Sequence, residues 1–164
     1  MMRRIVAVIA FFLLFQTPSQ GQQVFPAGTF TIGGFSAACG NIPTVIMAGL
    51  GDIGRATPAT PFQPATIWLD TNFFMLPLPV QFFVYGHECA HHMPSIGSNE
   101  NLADCWSAQL GTKQGWFTVV SMQFLTQQFA WNPGDWTHAP GPIRLQNIFN
   151  CFSTAWNASS SWHP

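Results

Sequence analysis

Charge is what this chain has least of: Asp, Glu, Lys and Arg together make up 7% of its 164 residues, against roughly a quarter in ordinary globular domains. Five basic and six acidic residues give a formal net charge of −1. No basic stripe can track a phosphate backbone, so nucleic acid is excluded as a partner. The apolar run from Ile5 to Phe15 is eleven residues long, well short of the ~20 that a membrane-spanning helix needs. Charge blocks and internal repeats are also missing, which removes charged interaction tails and solenoid arrays. Tyrosine occurs once, as Tyr85, and glutamate only twice, as Glu88 and Glu100. Two glutamates leave little room for incidental ones.

At the amino terminus, Arg3 and Arg4 precede the apolar run, and Gln16-Thr17-Pro18-Ser19-Gln20-Gly21 follows it. That order reads as a secretory signal over residues 1–21, leaving residues 22–164 as one domain with no membrane anchor, secreted or periplasmic. Removing the signal leaves Arg55, Lys113 and Arg144 against six carboxylates, a net charge of −3. The surface of such a domain must be polar through Ser, Thr, Gln and Asn, or partly apolar for binding.

All four cysteines, Cys39, Cys89, Cys105 and Cys151, lie in the exported portion, where disulfides persist. Their spacings contain no C-x-x-C, and helical geometry turns Cys89 away from the neighbouring histidines, so disulfides are favoured over metal ligation. Four cysteines allow three connectivities, and the sequence leaves the choice open. Cys39 with Cys89 and Cys105 with Cys151 is the preferred pairing, because each bond would tie a histidine- or glutamate-bearing helix to a distant segment.

The informative segment is His87-Glu88-Cys89-Ala90-His91, an H-E-x-x-H motif, with Glu100 nine positions after it. On a helix the two histidines lie on one face, one turn apart, where both imidazoles can bind a single Zn²⁺. Glu88 then sits beside the metal, where its carboxylate can take a proton from a bound water. Three fixed positions arise by chance in on the order of one chain in a few hundred, so the context decides. Met93-Pro94 ends the first helix. Ser98 or Asn99 caps a second helix beginning at Glu100, with Ala103 small enough for close helix packing. Glu100 is thereby opposed to the histidine pair as third ligand, and Asp104, one turn later, is assigned to the other ring nitrogen of His87.

Blander readings exist for each element. A His-Glu pair on a helix is more often an exposed polar turn, but here the pair sits between apolar runs that would otherwise be core. Asp104 could equally pair with a backbone donor. His138 and Arg144 could be a loop histidine and a solvated cation. His92 projects off the metal face and reads as structural; Tyr85, two residues before His87 and facing away from it, is a weaker candidate than His138 and Arg144 for donating a hydrogen bond to an oxyanion.

H-E-C-A-H-H followed by E-N-L-A-D-C-W resembles the gluzincin zinc metallopeptidases, which carry H-E-x-x-H and a later E-x-x-A-D. Thr137-His138-Ala139-Pro140-Gly141-Pro142-Ile143-Arg144 resembles the S/T-H-P-x-x-x-x-R segment of HtpX-like proteases, keeping the His-to-Arg spacing and placing Ala139 where those proteases have proline. The resemblance runs from about Thr66 to Cys151 and suits a compact secreted gluzincin. It implies a zincin-like α+β single domain: a small N-terminal β-sheet, an active-site helix, a glutamate-bearing helix and further C-terminal helices. It also implies one catalytic Zn²⁺ on His87, His91 and Glu100, a polypeptide substrate, and His138 and Arg144 near the scissile carbonyl. Glu88 would be the general base, with His138 and Arg144 stabilising the oxyanion.

The coarse pattern predicts short strands between Val24 and Ala65, among them Thr29 to Ile32 and Thr44 to Met47. The alternating segment Thr66 to Asp70 reads as a half-buried strand, and the resemblance makes it a sheet edge that accepts substrate as an added strand. Helices are predicted over about Pro79 to Met93, Asn99 to Leu110, Gln114 to Ala130 and Pro142 to Thr154. Two other classes of function compete with the peptidase. One is a catalytically inactive zinc-containing binding or inhibitory module of the same fold; the other is a disulfide-stapled structural domain in which the motif is coincidental.

Overall fold

The computed structural model describes residues 21–160; the expected signal segment, apart from Gly21, lies outside them. The first part of the chain forms strands β1 (Gln23–Phe25), β2 (Thr31–Ile32), β3 (Phe35–Ser36), β4 (Thr44–Ile46), β5 (Gly54–Thr57) and β6 (Thr66–Leu69). Strands β2 and β3 make a separate hairpin whose turn residues Gly33 and Gly34 both have positive φ, 58° and 84°, the backbone that a two-residue hairpin turn demands. The remaining four strands form one sheet in the order β1-β4-β6-β5, with β4 and β6 parallel and the other pairs antiparallel.

This order corrects one expectation. The strand ahead of the H-E-x-x-H helix, β6, is not an edge: it lies between β4 and β5. Its residues Thr66, Ile67 and Leu69 are buried and Trp68 is half-buried, so both of its faces are covered, as suits an inner strand. The edge beside the helix is β5, which among the described residues is paired on one side only.

After β6, Asp70 caps a short 3₁₀ turn (Thr71–Met75), accepting from the Asn72 backbone at 2.8 Å, and ties back to the Leu50 backbone at 2.9 Å. Helix α1 (Leu78–Ala90) starts on Pro77 and Pro79, residues that tolerate a helix's first turn because the N–H they lack has no partner there. It ends three residues before Met93. Past Ala90 the backbone bonds tighten to the three-residue spacing, His92 to Cys89 and Met93 to Ala90, so the chain leaves the α-helix before the proline is reached. Helix α2 (Glu100–Gln114) is capped by the Asn99 side chain and runs one turn further than expected, to Gly115 at φ 81°, a left-handed stop that favours glycine. That stop, with the Thr118–Ser121 capping box, delays α3 to Val119–Phe129. Helix α4 spans Gly141–Ser160. No helix among the described residues is long and apolar enough to cross a membrane.

Helix α1 is buried on both sides. One face, with Tyr85 and Cys89, joins Phe30, Ile32, Ile46, Ile67, Leu69 and Phe73 under the sheet. The other, through Phe83, joins Ala108, Phe117, Leu125, Ile148 and Phe152 among the helices. Helices α1 and α2 cross closely: a Cβ at Gly86 would come within 2.5 Å of Ser107 Oγ, and that hydroxyl donates to the Phe83 carbonyl at 2.8 Å. Ala103 on α2 is fully buried, the small residue that close packing requires. The preferred disulfides are present. Cys39–Cys89 ties the segment after β3 to α1, and Cys105–Cys151 ties α2 to α4. Helix α2 packs against both α1 and α4, and its Asp104 joins His87 near the end of α1 to Arg144 in the first turn of α4.

Candidate metal centre

Helix α1 presents His87 and His91, and α2 opens with Glu100 facing them. His87 Nε2 stands 2.9 Å from Glu100 Oε2 and 3.1 Å from His91 Nε2, and His91 Nε2 stands 3.4 Å from the same carboxylate oxygen. A further imidazole arrives from the loop between α3 and α4, with His138 Nε2 3.0 Å from Glu100 Oε2. That loop is folded tightly on itself. The Asp135 N–H donates to the His138 carbonyl at 2.9 Å, and Gly134 (φ 79°) leaves no room for a Cβ, which would lie 2.6 Å from that carbonyl.

The second ring nitrogen decides what the first can do. His87 Nδ1 is 2.8 Å from Asp104 Oδ1, His91 Nδ1 is 2.6 Å from the Gly97 carbonyl, and His138 Nδ1 is 3.2 Å from Asp135 Oδ2. All three partners are oxygens that only accept, and the Thr137 hydroxyl, 2.9 Å from His138 Nδ1, already donates to Asp135 Oδ1 at 2.7 Å, so each Nδ1 carries the hydrogen. In the neutral rings each Nε2 is then a bare lone pair, and all three point at Glu100 Oε2, another acceptor. Such a gathering holds together only around positive charge, either a proton or a metal ion. Neighbouring ligand atoms of a tetrahedral site with bonds of about 2.0–2.2 Å stand roughly 3.4 Å apart, close to the separations found. His87, Glu100 and His138, whose ligand atoms all lie within 4.8 Å of one another, form a group that can hold a metal ion.

The electrostatics agree. Burial by itself would lower His87, but the Asp104 and Glu100 carboxylates outweigh it and push the imidazole up to about 9. Glu100, despite the burial that opposes ionisation, is held far below the usual carboxylate range by hydrogen bonds from His138, His87 and His91. Glu88 behaves in the opposite way. It is 7% exposed and makes no hydrogen bond to these groups, and burial pushes its carboxyl up. A Cβ at Gly54 of β5 would lie 2.9 Å from Glu88 Cγ, so the edge strand passes directly over this side chain. Between β5 and the 135–138 segment runs an open groove of about 640 Å³ with Glu88, His91, Glu100 and His138 along it.

His138 and Arg144, expected as a pair at the carbonyl, separate. His138 joins the ligand atoms. Arg144 turns to fully buried Asp104, donating from Nε at 2.9 Å and from Nη2 at 2.7 Å, with its guanidinium 4.8 Å from the centre of the Phe129 ring. Asp104 thus bridges His87 and Arg144. Tyr85 points to the sheet, its hydroxyl 3.3 Å from Thr44 Oγ1. His92 lies off the ligand cluster, and its Nε2 is buried with no hydrogen-bond partner among the described residues. Sequence reasoning did not find the Gly97 carbonyl, Asp135 or Gly54. Only Asp135 left a trace, in the Asn-Pro-Gly-Asp turn three residues ahead of His138. No family model matches the chain, no curated protein matches it, and no solved structure matches it.

Proposed function

We propose that this chain is an exported zinc-dependent endopeptidase of the gluzincin type, with His87, His91 and Glu100 as ligands and Glu88 as general base. The observation that carries the reading is the convergence of imidazole lone pairs on one carboxylate oxygen, with a second, buried carboxylate beside them that takes no part in the cluster. Imidazole and carboxylate donors in a compact four-point arrangement suit zinc. The ion, when bound, would lower the pKa of a water and polarise a carbonyl.

The remaining chemistry falls to the chain. Glu88, its carboxyl raised by burial, is suited to accept a proton and return it to the leaving amine. His138 stands with Nε2 3.0 Å from Glu100 Oε2, next to the ligand group, and in its protonated form it could donate from Nε2 to charge developing on the carbonyl oxygen. Arg144 acts at one remove: its bond to Asp104 orients that carboxylate, which fixes the tautomer of His87. A peptide would lie along the free edge of β5 as an added strand, bringing its backbone over Glu88. Two disulfides agree with an oxidising compartment.

The position of His138 also favours a second reading. As a neutral ring it supplies a fourth protein ligand, and a closed four-ligand site is the pattern of structural rather than catalytic zinc. The chain would then be a zinc-containing binding or inhibitory module. The two readings part on one set of measurements, zinc content and peptide-library digestion by the wild type, Glu100→Ala and His138→Phe. A peptidase holds one zinc, cleaves, and loses most of its metal in Glu100→Ala, while His138→Phe keeps the metal and loses kcat. A closed module cleaves nothing, and its His138→Phe variant binds zinc more weakly.

A further inference from the structure

Behind α1, away from the candidate metal centre, lies a cleft of about 640 Å³ that shares no lining residue with the groove over Glu88. Its floor is another face of α1, formed by Leu78, Phe82, Tyr85, Gly86 and Cys89, positions that helical spacing stacks on one side. One wall is β3 and the residues after it, Phe35 to Ala38; the other is α2 and the chain just past it, with Trp106, Leu110 and Trp116. The space stays open because Ser36, Ala37 and Ala38 are small on one side and Gly115 on the other. Its walls are fixed. The Cys39–Cys89 disulfide joins the residue after Ala38 to the floor. Trp116 is held in three ways: its ring stacks on Phe82 at 5.5 Å with the planes 24° apart, its Nε1 donates to Gln114 Oε1 at 2.8 Å, and it folds back over Gly111, where a Cβ would meet the ring at 2.6 Å. Four aromatic side chains thus line a preformed space within the ~300–1,000 Å³ of ordinary small-molecule sites, and none of the described residues lining it is charged.

We infer that this cleft binds one uncharged, ring-bearing small molecule that carries an acceptor oxygen. The inference is independent of the peptidase reading. Ring-on-ring contact is favourable beyond the area it buries, so walls built from Phe35, Phe82, Trp106 and Trp116 favour a ring over a plain hydrocarbon chain. An ionised ligand would shed its hydration and find no partner. A sugar would bring more hydroxyls than the lining can meet, since Ser36 and Gln114 are the polar side chains at hand and the Tyr85 hydroxyl is paired with Thr44 Oγ1 at 3.3 Å. Gln114, its Oε1 taken by Trp116, presents an NH₂, which calls for an acceptor on the ligand. Walls already ordered by a disulfide and a stacked pair lose little freedom on binding.

The test uses the full chain with both disulfides intact and two uncharged ring carbonyl compounds, coumarin and flavone, with affinity and stoichiometry read by equilibrium dialysis. Decanoate, maltotriose and tetraethylammonium are the chain, sugar and cation arms. One ring molecule per chain is expected, bound at least about 10-fold more tightly than any of those three. Ala38→Trp, which starts from an exposed position on the wall, should fill the cleft and abolish saturable binding. Phe35→Ala removes a ring that is 64% exposed and should weaken binding by roughly 2- to 10-fold with Tm unchanged. Phe62→Ala removes a 94% exposed ring outside the cleft and should leave binding as it is. No binding of either ring compound, several molecules per chain, or tighter binding of decanoate, maltotriose or tetraethylammonium would overturn the inference. So would affinities that survive both cleft variants, or an equal loss in Phe62→Ala. Dimerisation that Ala38→Trp abolishes would assign the cleft to a second copy of the chain, which also overturns it.

Discussion

Replacing Asp104 with asparagine removes one charge from a side chain with no exposed surface and tests how the centre is held. Asp104 receives three charge-assisted hydrogen bonds, one from His87 at 2.8 Å and two from Arg144 at 2.9 and 2.7 Å. Asparagine keeps a single acceptor oxygen and turns an NH₂ towards groups that also donate. Breaking a buried ion pair from one side costs about 3–5 kcal/mol. Arg144 retains 12% side-chain exposure, so partial solvation should bring the cost to the lower end, about 3 kcal/mol. For a domain of this size that is a fall in Tm of roughly 10 °C. Thermal unfolding in the presence of a chelator isolates this effect from metal binding. Arg144→Met should cost a similar amount, because it strands the aspartate, and the double variant should cost far less than the two together, leaving a coupling of about 2 kcal/mol or more. Zinc affinity separates the partners further. Asp104→Asn should weaken it by about 10- to 100-fold through His87, and Arg144→Met, which leaves Asp104 on His87, by much less. Additivity within about 0.5 kcal/mol, or an Asp104→Asn protein with unchanged Tm and zinc affinity, would refute the bridging role.

In the metal-free protein His87 is pushed up to about 9 from 6.5, so at pH 7 it carries a proton that zinc must expel, and calorimetry in buffers of different ionisation enthalpy should show release of about one proton or more; zero release would contradict a protonated His87 in the metal-free protein. Because the folded chain holds this proton more tightly than the unfolded one, His87's contribution to metal-free stability is full below about pH 6.5 and fades as the pH rises through about 9, a trend that chelator-treated unfolding curves can read. Gly54→Val should displace Glu88, since a Cβ there meets Glu88 Cγ at 2.9 Å and Val84 Cγ1 at 3.1 Å, and a shift of about 1 Å lowers kcat on the order of 100-fold. Zinc content should not change, and full activity in Gly54→Val would place the edge strand away from the reaction.

The centre was largely legible because its chemistry is local. Helical spacing alone puts His87 and His91 on one face, and a chain with only two glutamates makes Glu100 conspicuous. The cysteine pairing was only a preference among three connectivities, and the structure contains the preferred one. What escaped is decided by packing across the chain. The alternating pattern of Thr66 to Leu69 reports that the segment is a strand and not how many neighbours it has; the edge position follows only from the resemblance, and β5, which carries exposed Arg55 and among the described residues is paired on one side only, holds it instead. His138 and Arg144 keep a fixed spacing along the chain, yet the start of α4 falls between them and sends their side chains to different carboxylates. Gly54 leaves no mark in the sequence, because its importance is the missing Cβ under a side chain 34 residues away. The Asn99 cap of α2 stands where expected, whereas Gly115 and Thr118 outweigh the apolar periodicity that drew the end of α2 and the start of α3.

The central claim, that a metal held by His87, His91 and Glu100 works with Glu88 to cleave peptides, is tested most directly by Glu88→Gln in a peptide-library digest, with zinc measured on the same preparations. Glutamine matches the shape of glutamate and cannot take the proton, and a general base contributes roughly 10²- to 10⁴-fold. The account predicts one zinc per chain in both proteins, cleavage by the wild type, and at least about a 100-fold lower rate in the variant. Cleavage by Glu88→Gln at more than about a tenth of the wild-type rate, or a zinc-loaded wild type that cuts no peptide, would contradict it.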